Sequence, residues 1–470
     1  EGQQTAIHNG VLETSLVTIN NIFTPEGIRF LFGNVITNLT IFEPLVILII
    51  ALIGIGIGEK SGLFKAAFSP CKKWKNSTIT MITLFISIIS GFFGEYSYAF
   101  LIPLAGVFYK YVGRNSRLGI LTTFLGIGVG YGTGIIFNYT GALLGSATQI
   151  SAALEVDQNY TFHLLSTIYI MLGSTAILTI IGTIIIERLL ASKYPKKTPL
   201  LDEDVRVSKK GLFVSSITFL IFSLIIIYFI IPGLPGSGIL LDTSAATYIE
   251  QLMGTDSPFG QCFIYLLVMA LMICGLLYGY ISRNIKSSND YSLGLSKGFD
   301  NVGYVFVLMF FASQMISIFN WTNLGTVLSS RMISFLSTLQ FSGIPLIVTL
   351  FIIVILMGIM IPSTETKWSL LNPLVVPLFM RSNITPDFTQ FIFRAADGLS
   401  RCITPMFGYF IVMLAFLQKY NYDEENKITI FGTIRKIMPS FLLFVGVWLL
   451  ILIGWYIVGL PIGVGTYPTL

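Results

Sequence analysis

EYSYAFLIPL, residues 95–104, returns almost as written in ETKWSLLNPL, residues 365–374. Each segment opens on a glutamate, has an aromatic three residues on (Tyr98, Trp368) and a leucine at six (Leu101, Leu371), and closes on Pro-Leu. Both glutamates lie in strongly apolar surroundings. A carboxylate at bilayer depth is costly and marks a functional site by default. Two in matching contexts predict one site assembled from two related halves of the chain.

Composition makes the bilayer the relevant solvent. The chain has 470 residues, 54% hydrophobic and 11% charged, with a mean hydropathy of +0.80. That balance excludes an ordinary soluble domain. Apolar runs of membrane-crossing length, roughly 20 residues for a core of about 30 Å, occur at 41–58, 118–138, 163–187, 211–232, 259–281, 301–320, 387–418 and 438–459, which predicts eight spans. Residues 1–40 are mostly polar and read as an extracytoplasmic or interfacial segment. Within them Thr24-Pro25-Glu26 reads as an N-cap with proline at the first helical position. It opens an amphipathic stretch at 27–38, expected to lie along the membrane surface. No targeting segment is visible, and the chain opens on Glu1.

Several chemistries find no support. Cys71, Cys262, Cys274 and Cys402 lack any CxxC spacing and read as free thiols. His8 and His163 fall outside the membrane or at its edge, so histidine catalysis and histidine-rich metal sites are not predicted. There is no P-loop, zinc-type histidine motif or serine-histidine pair. The reading therefore assigns no enzyme activity, cofactor, resident metal or ATP-driven step.

The net charge of +5 reflects topology rather than a nucleic-acid partner. Lys60 and Lys65 to Lys75, Lys110 to Arg117, Arg188 to Lys210, Arg283 to Lys297 and Lys419 to Lys436 together hold 22 of the 28 basic residues; the intervening loops hold only Arg29, Arg331 and Arg381. The rich loops are cytoplasmic by the positive-inside rule. Residues 77–108 then enter and leave by the same face. They are too short for two crossings and are interrupted at Gly91-Phe92-Phe93-Gly94, so they read as a re-entrant hairpin with Glu95 near its tip. Residues 343–380 form a second hairpin from the opposite face, with its tip at 362–368. Such backbone is tolerated only inside protein or against a water-filled cavity.

The expected fold is thus an all-α polytopic membrane protein, an inverted-repeat secondary transporter with two opposed re-entrant helical hairpins. Residues 41–187 are the first repeat, 188–300 connecting spans and 301–470 the inverted second repeat. Each hairpin is followed by an interrupted helix. The first, at 126–145, has seven glycines together with Thr133, Asn138 and Thr140; it reads either as close helix packing or as unwound backbone facing substrate or ion. The second, RAADGLSRCITP at 394–405, sets Arg394, Asp397 and Arg401 on one helix face and ends at the helix-breaking Pro405. Either Asp397 neutralises its two arginines, or the trio is a ligand site with an internal salt bridge. Glu95, Glu365 and Asp397 balance Lys367, Arg394 and Arg401. Protonating one glutamate leaves a net positive charge suited to an anionic ligand.

Four further stretches carry a resemblance: TPEGIRFLFGNVITNLTIFEPL (24–45), FFASQMISIFNWTNLG (310–325), KWSLLNPLVVPLF (367–379) and RAADGLSRCITPMFGYF (394–410). With them the chain resembles the AbgT family of p-aminobenzoyl-glutamate transporters and antimetabolite exporters, nearly end to end. The resemblance implies a homodimer of nine-span protomers, with the ninth span before Glu1, and ion-gradient-driven transport of a folate catabolite or sulfonamide-like drug. Its functional positions fall on Glu95, Trp368, Arg394, Asp397 and Pro405. The chain departs from it in having glutamate at 95 for aspartate, and Gly91, Gly134, Gly358 and Arg401 where asparagines are expected. The second tip reads Pro362-Ser363-Thr364-Glu365-Thr366 in place of a glycine-, serine- and alanine-rich sequence.

The leading reading is a secondary transporter of the cell (cytoplasmic) membrane for a small anionic or aromatic compound. Substrate contacts are expected at Trp368, Arg394, Asp397, Arg401, Pro405 and Asn138, and ion coupling at Glu95, Glu365 and Asp397. Trp368 either stacks on an aromatic ring of the ligand or anchors packing. Loss of the asparagines favours H+ over Na+. The alternative is a non-transporting receptor or partner subunit on the same scaffold.

Overall fold

Asn9-Gly10 is a strong short hairpin signal inside the mostly polar segment read above as extracytoplasmic or interfacial. The strands on either side of it, β1 (Gly2–His8) and β2 (Val11–Val17), pair antiparallel with Gly2 opposite Val17 and His8 opposite Val11. The computed structural model describes every residue except 1, 9–10, 137, 156–158, 196, 199–204, 246, 255, 339–340 and 422–427. Lys196 and Lys427 of the basic loops therefore lie outside the described residues. Among the described residues the other regular elements are helices, apart from one isolated bridge between Gly463 and Thr466.

The helices follow the predicted punctuation closely at the start. Thr24 accepts a hydrogen bond from the Gly27 amide at 3.2 Å and caps α1 (Pro25–Gly33), which leads to α2 (Val35–Thr40), α3 (Glu43–Ser61) and α4 (Leu63–Phe68). The first hairpin is α5 (Asn76–Ile89), a short 3-10 turn, and α6 (Tyr96–Val112); α7 (Ser116–Gly130), α8 (Tyr139–Glu155) and α9 (Ile168–Ile185) complete this half. The connecting region supplies α10 (Lys209–Ile230), α11 (Tyr248–Met253), α12 (Pro258–Ser282) and α13 (Ser288–Ser296). The second half runs α14 (Gly303–Trp321), α15 (Leu324–Thr338), the second hairpin α16 (Ile344–Met360) and α17 (Thr364–Arg381), then α18 (Pro386–Arg401), α19 (Gly408–Lys419) and α20 (Ile430–Val458). β1 packs against α15 and α17.

Among the described residues six helices are long and apolar enough to cross a bilayer, against the eight spans predicted. The difference lies in 118–138 and 387–418, neither of which is one continuous helix. The first stops at Gly130 and resumes at Tyr139; the second stops at Arg401 and resumes at Gly408. Glycine and proline release the backbone at these points. Every residue of α18 is buried, so its four charged residues, Asp387, Arg394, Asp397 and Arg401, meet other helices and not lipid.

Contacts between helix ends fix the directions of the hairpins. Arg114, just beyond α6, donates to the Asn76 carbonyl at the start of α5 at 2.8 Å and pairs with Glu187, just beyond α9, at 2.9 Å. Lys193 of the same region donates to the Lys436 carbonyl near the start of α20 at 2.9 Å. Both outer ends of the first hairpin thus lie toward the N-terminal end of α20. At the other end of α20, Gly343 at the start of α16 meets the Tyr456 hydroxyl, while Thr385, just beyond α17, donates to the Tyr467 carbonyl at 2.8 Å. The outer ends of α5 and α6 and those of α16 and α17 thus lie toward opposite ends of α20.

The glycine stretch splits between its two predicted uses. On α7, Gly128 lies against Gly398 of α18, where a Cβ on either residue would overlap the opposing helix; this is close packing of small residues. Residues 131–136 and Asn138 form the unwound part. There Asn138 donates to the carbonyls of Tyr131 and Thr133 at 2.8 and 3.0 Å and accepts from the Gly141 amide at 2.9 Å, while Thr133 donates to the Met171 carbonyl at 2.7 Å. Backbone groups that lose their helical partners are satisfied by side chains, as burial requires.

Candidate functional site

Arg401, the last residue of α18, is fully buried, and its guanidinium touches both hairpin tips and both helix breaks. It pairs with Glu95 of the first tip at 2.6 Å and donates to the Thr364 hydroxyl of the second. Tyr131 from the first break lies under it at 4.1 Å and Phe407 from the second at 4.9 Å, measured to the ring centroids. A planar group with five donors and a polarisable face can make these contacts together, which an ammonium cannot. Glu95 stands at the N-cap position of α6 without capping it, because its carboxylate reaches across to Arg401. Its side chain stays 39% exposed.

Asp397 lies one turn below and ties the same elements together. It ion-pairs with Lys367 of α17, accepts from the Thr364 hydroxyl, and lies 3.6 Å from Arg401. Lys367 and Asp397 are wholly buried. Lys367 has therefore turned to Asp397 and away from the neighbouring Glu365, with which the sequence would have allowed it to pair. Glu365 is exposed. The Ser363 hydroxyl accepts from the Thr366 amide at 3.3 Å and caps the helix that carries both residues.

Arg394 does not share Asp397, contrary to the reading in which one aspartate neutralises two arginines. It donates to the Thr167 hydroxyl at 3.0 Å and lies over the Phe391 ring at 5.3 Å. It makes no ion pair among the described residues, and its Nε has no partner there. Gly132 and Gly141 leave the space it fills; a Cβ on Gly141 would overlap the guanidinium.

The aromatics of the repeated phrase each reach into the other half of the chain. Tyr98 packs on Phe407 and Tyr409, with centroids at 5.0 and 5.7 Å. Trp368 packs on Phe393 at 4.6 Å and donates to the Thr148 hydroxyl of α8 at 3.1 Å. Pro405 is half-buried in the second break, which the Thr404 hydroxyl anchors by donating to the Ile359 carbonyl at 2.6 Å. Of the residues expected at the site, Glu95, Asp397 and Arg401 form one connected cluster. Arg394 and Asn138 lie beside it around the first break, Trp368 is walled off by packing, and Glu365 stands at its open edge.

Thr364, Lys367, Gln390 and Asp387 were not among the expected site residues. Asp387, Gln390, Arg394, Asp397 and Arg401 recur at three and four residues and so form one polar stripe along α18. Extending the spacing of the predicted trio toward the N-terminus finds the first two. Gln390 donates to Thr148 at 3.0 Å, the same hydroxyl that receives Trp368. Thr364 had no such signal beyond its place at the tip.

A family model described as the AbgT putative transporter family matches residues 3–470. The p-aminobenzoyl-glutamate transport protein of Escherichia coli (strain K12) is 28% identical over 461 residues, covering 97% of this chain and 88% of that protein. The crystal structure of the Alcanivorax borkumensis YdaH transporter, described as having an unusual topology, is 25% identical with a TM-score of 0.52, covering 98% and 95% of the two chains. The Neisseria gonorrhoeae MtrF structure, said to illuminate a class of antimetabolite efflux pumps, is 24% identical with a TM-score of 0.50, covering 99% and 92%, and bears on the fold alone.

Proposed function

Because the chain belongs to the AbgT putative transporter family, we propose that this multi-pass membrane transporter moves a small anionic or aromatic compound, p-aminobenzoyl-glutamate-like or sulfonamide-like, across the cytoplasmic membrane, driven by a proton gradient. The carrying observation is Arg401, whose guanidinium joins Glu95 on one hairpin tip to Thr364 on the other. The hairpins are re-entrant in this reading, the halves are inverted repeats, and the working unit is the homodimer that the family resemblance implies.

Glu95 is exposed enough to exchange a proton with water and close enough to Arg401 for that proton to matter. Once protonated, it ceases to be a charged acceptor for Arg401, and a charge-assisted bond between the first tip and α18 is weakened. The buried cluster then carries one net positive charge. Arg401 is already engaged by Glu95, Asp397 and Thr364, so Arg394, which has no carboxylate ion-pair partner among the described residues, is the better candidate to receive a substrate carboxylate when α8 and α18 part. Resident Arg401 also supports protons over sodium. It places a fixed cation beside the carboxylate, at a position where the resemblance expects a neutral asparagine.

Uptake of labelled p-aminobenzoyl-glutamate into proteoliposomes, under an imposed pH gradient or an imposed sodium gradient, tests the reading. Accumulation driven by the pH gradient and lost in Glu95→Gln is the expected outcome. Accumulation driven by sodium alone overturns the coupling ion. Binding with no accumulation under either gradient points to the receptor reading.

A further inference from the structure

A cavity of about 610 Å³ lies between the first hairpin and helices α10 and α12, and none of the ionic cluster's residues lines it. Its walls run along residues 219–230 of α10 and 259–270 of α12, the outer half of each helix in the topology set by the basic loops. At 1.5 Å per residue each wall is about 16 Å long, close to half of a hydrocarbon core of about 30 Å. The cavity therefore has the depth of one leaflet.

Its lining carries no acidic, basic or histidine side chain. Four side chains contribute hydroxyls and each is already engaged: Ser90 donates to the Ser87 carbonyl at 2.7 Å, Ser97 to that of Ser90 at 2.6 Å and Ser223 to that of Phe219 at 2.8 Å, while Tyr96 is hydrogen-bonded to Glu43 outside the lining. An anionic substrate would find nothing here to compensate its charge. Hydrocarbon is at hand, because α10 is largely apolar and buries only Gly211 and Ser215, which leaves its outer half open to surrounding lipid. Phe93 of the hairpin tip stacks on Phe263 of α12 at 4.1 Å beside the cavity, two residues from Glu95.

From these observations we infer that the slot between the first hairpin and α10/α12 is a binding site for one acyl chain of an outer-leaflet phospholipid, which packs the flank of the hairpin that carries Glu95. The site is independent of the coupling ion and of the substrate proposed above.

The test uses the full chain in liposomes containing phosphatidylethanolamine with a photoreactive diazirine at the acyl-chain end or near the ester, with adducts mapped by peptide mass spectrometry. The chain-end probe is expected to label the inner end of the slot around Leu101, Phe219 and Ala270, and the ester-proximal probe the outer end around Ile230 and Phe259. Ser223→Trp fills the slot. It should lower these adducts at least about tenfold, the factor lost when even two methylenes are denied burial, while adducts on the lipid-facing Leu220 and Leu224 persist. Ile226→Trp repeats the measurement if Ser223→Trp does not elute as a single species. Labelling confined to exposed faces, adducts unchanged in both variants, loss of adducts to saturating p-aminobenzoyl-glutamate, or slot residues crosslinked to a second copy of the chain would each overturn the proposal.

Discussion

Arg401 and Asp397 differ in what their loss should do. Asp397 is enclosed with Lys367 and Arg401, and removing one member of a buried ionic group leaves charge uncompensated, at a cost of about 3–5 kcal/mol. Asp397→Asn is therefore expected to lower the thermal unfolding temperature of the purified protein markedly; an unchanged transition would mean that the pairing is dispensable. Glu95→Gln touches a carboxylate that is 39% exposed, so stability should change little while the response of transport to a pH gradient disappears. Arg401→Lys separates charge from geometry. A point-like ammonium cannot hold Glu95 and Thr364 together between two rings, so coupling should weaken although the charge is conserved, which a side-by-side assay of the two variants reads directly.

Among elements, the decisive contact is the crossing of α7 and α18 at Gly128 and Gly398. A Cβ on Gly398 would press on the Gly128 carbonyl, whereas one on Gly128 meets the Cys402 sulfur first. Overpacking of this kind typically costs about 1–3 kcal/mol, and backbone yields less readily than a side chain. Gly398→Ala should accordingly reduce the folded yield more than Gly128→Ala, and Cys402→Ala should recover part of the loss in Gly128→Ala and none in Gly398→Ala. Thr148 binds α8 to both α17 and α18. Thr148→Val strands the Trp368 donor and leaves Gln390 only its longer bond to the Gly141 carbonyl, and a destabilisation of about 1–3 kcal/mol for unmet buried groups should appear as a lowered unfolding midpoint.

For the whole molecule, opposed hairpins make a prediction about sides. Single cysteines at Asn76 and Gly113, flanking the first hairpin, should react with a membrane-impermeant maleimide only from the cytoplasmic face. Cysteines at Ser342 and Ser382, flanking the second, should react only from outside. Mixed labelling within either pair would refute the re-entrant arrangement. The slot beside α10 belongs to this scale as well, since it exists only where the connecting helices and the first hairpin face each other.

Hydropathy, the distribution of lysine and arginine, and the repeated glutamate phrase determined by themselves that the chain is a helical membrane protein and which segments deserve attention. Each is a local or one-dimensional property, fixed by the cost of exposing polar groups to lipid. The breaks that follow Gly130 and Arg401 were legible too, because glycine and proline act on the backbone where they stand. The partners of the charged groups were not. Spacing put Arg394, Asp397 and Arg401 on one face, yet only the meeting of α17, α18 and the two hairpin tips decided that Lys367 takes Asp397, that Arg401 takes Glu95, and that Arg394 has neither. Pairing of buried charges depends on distances between elements far apart in the chain, and those are set by packing.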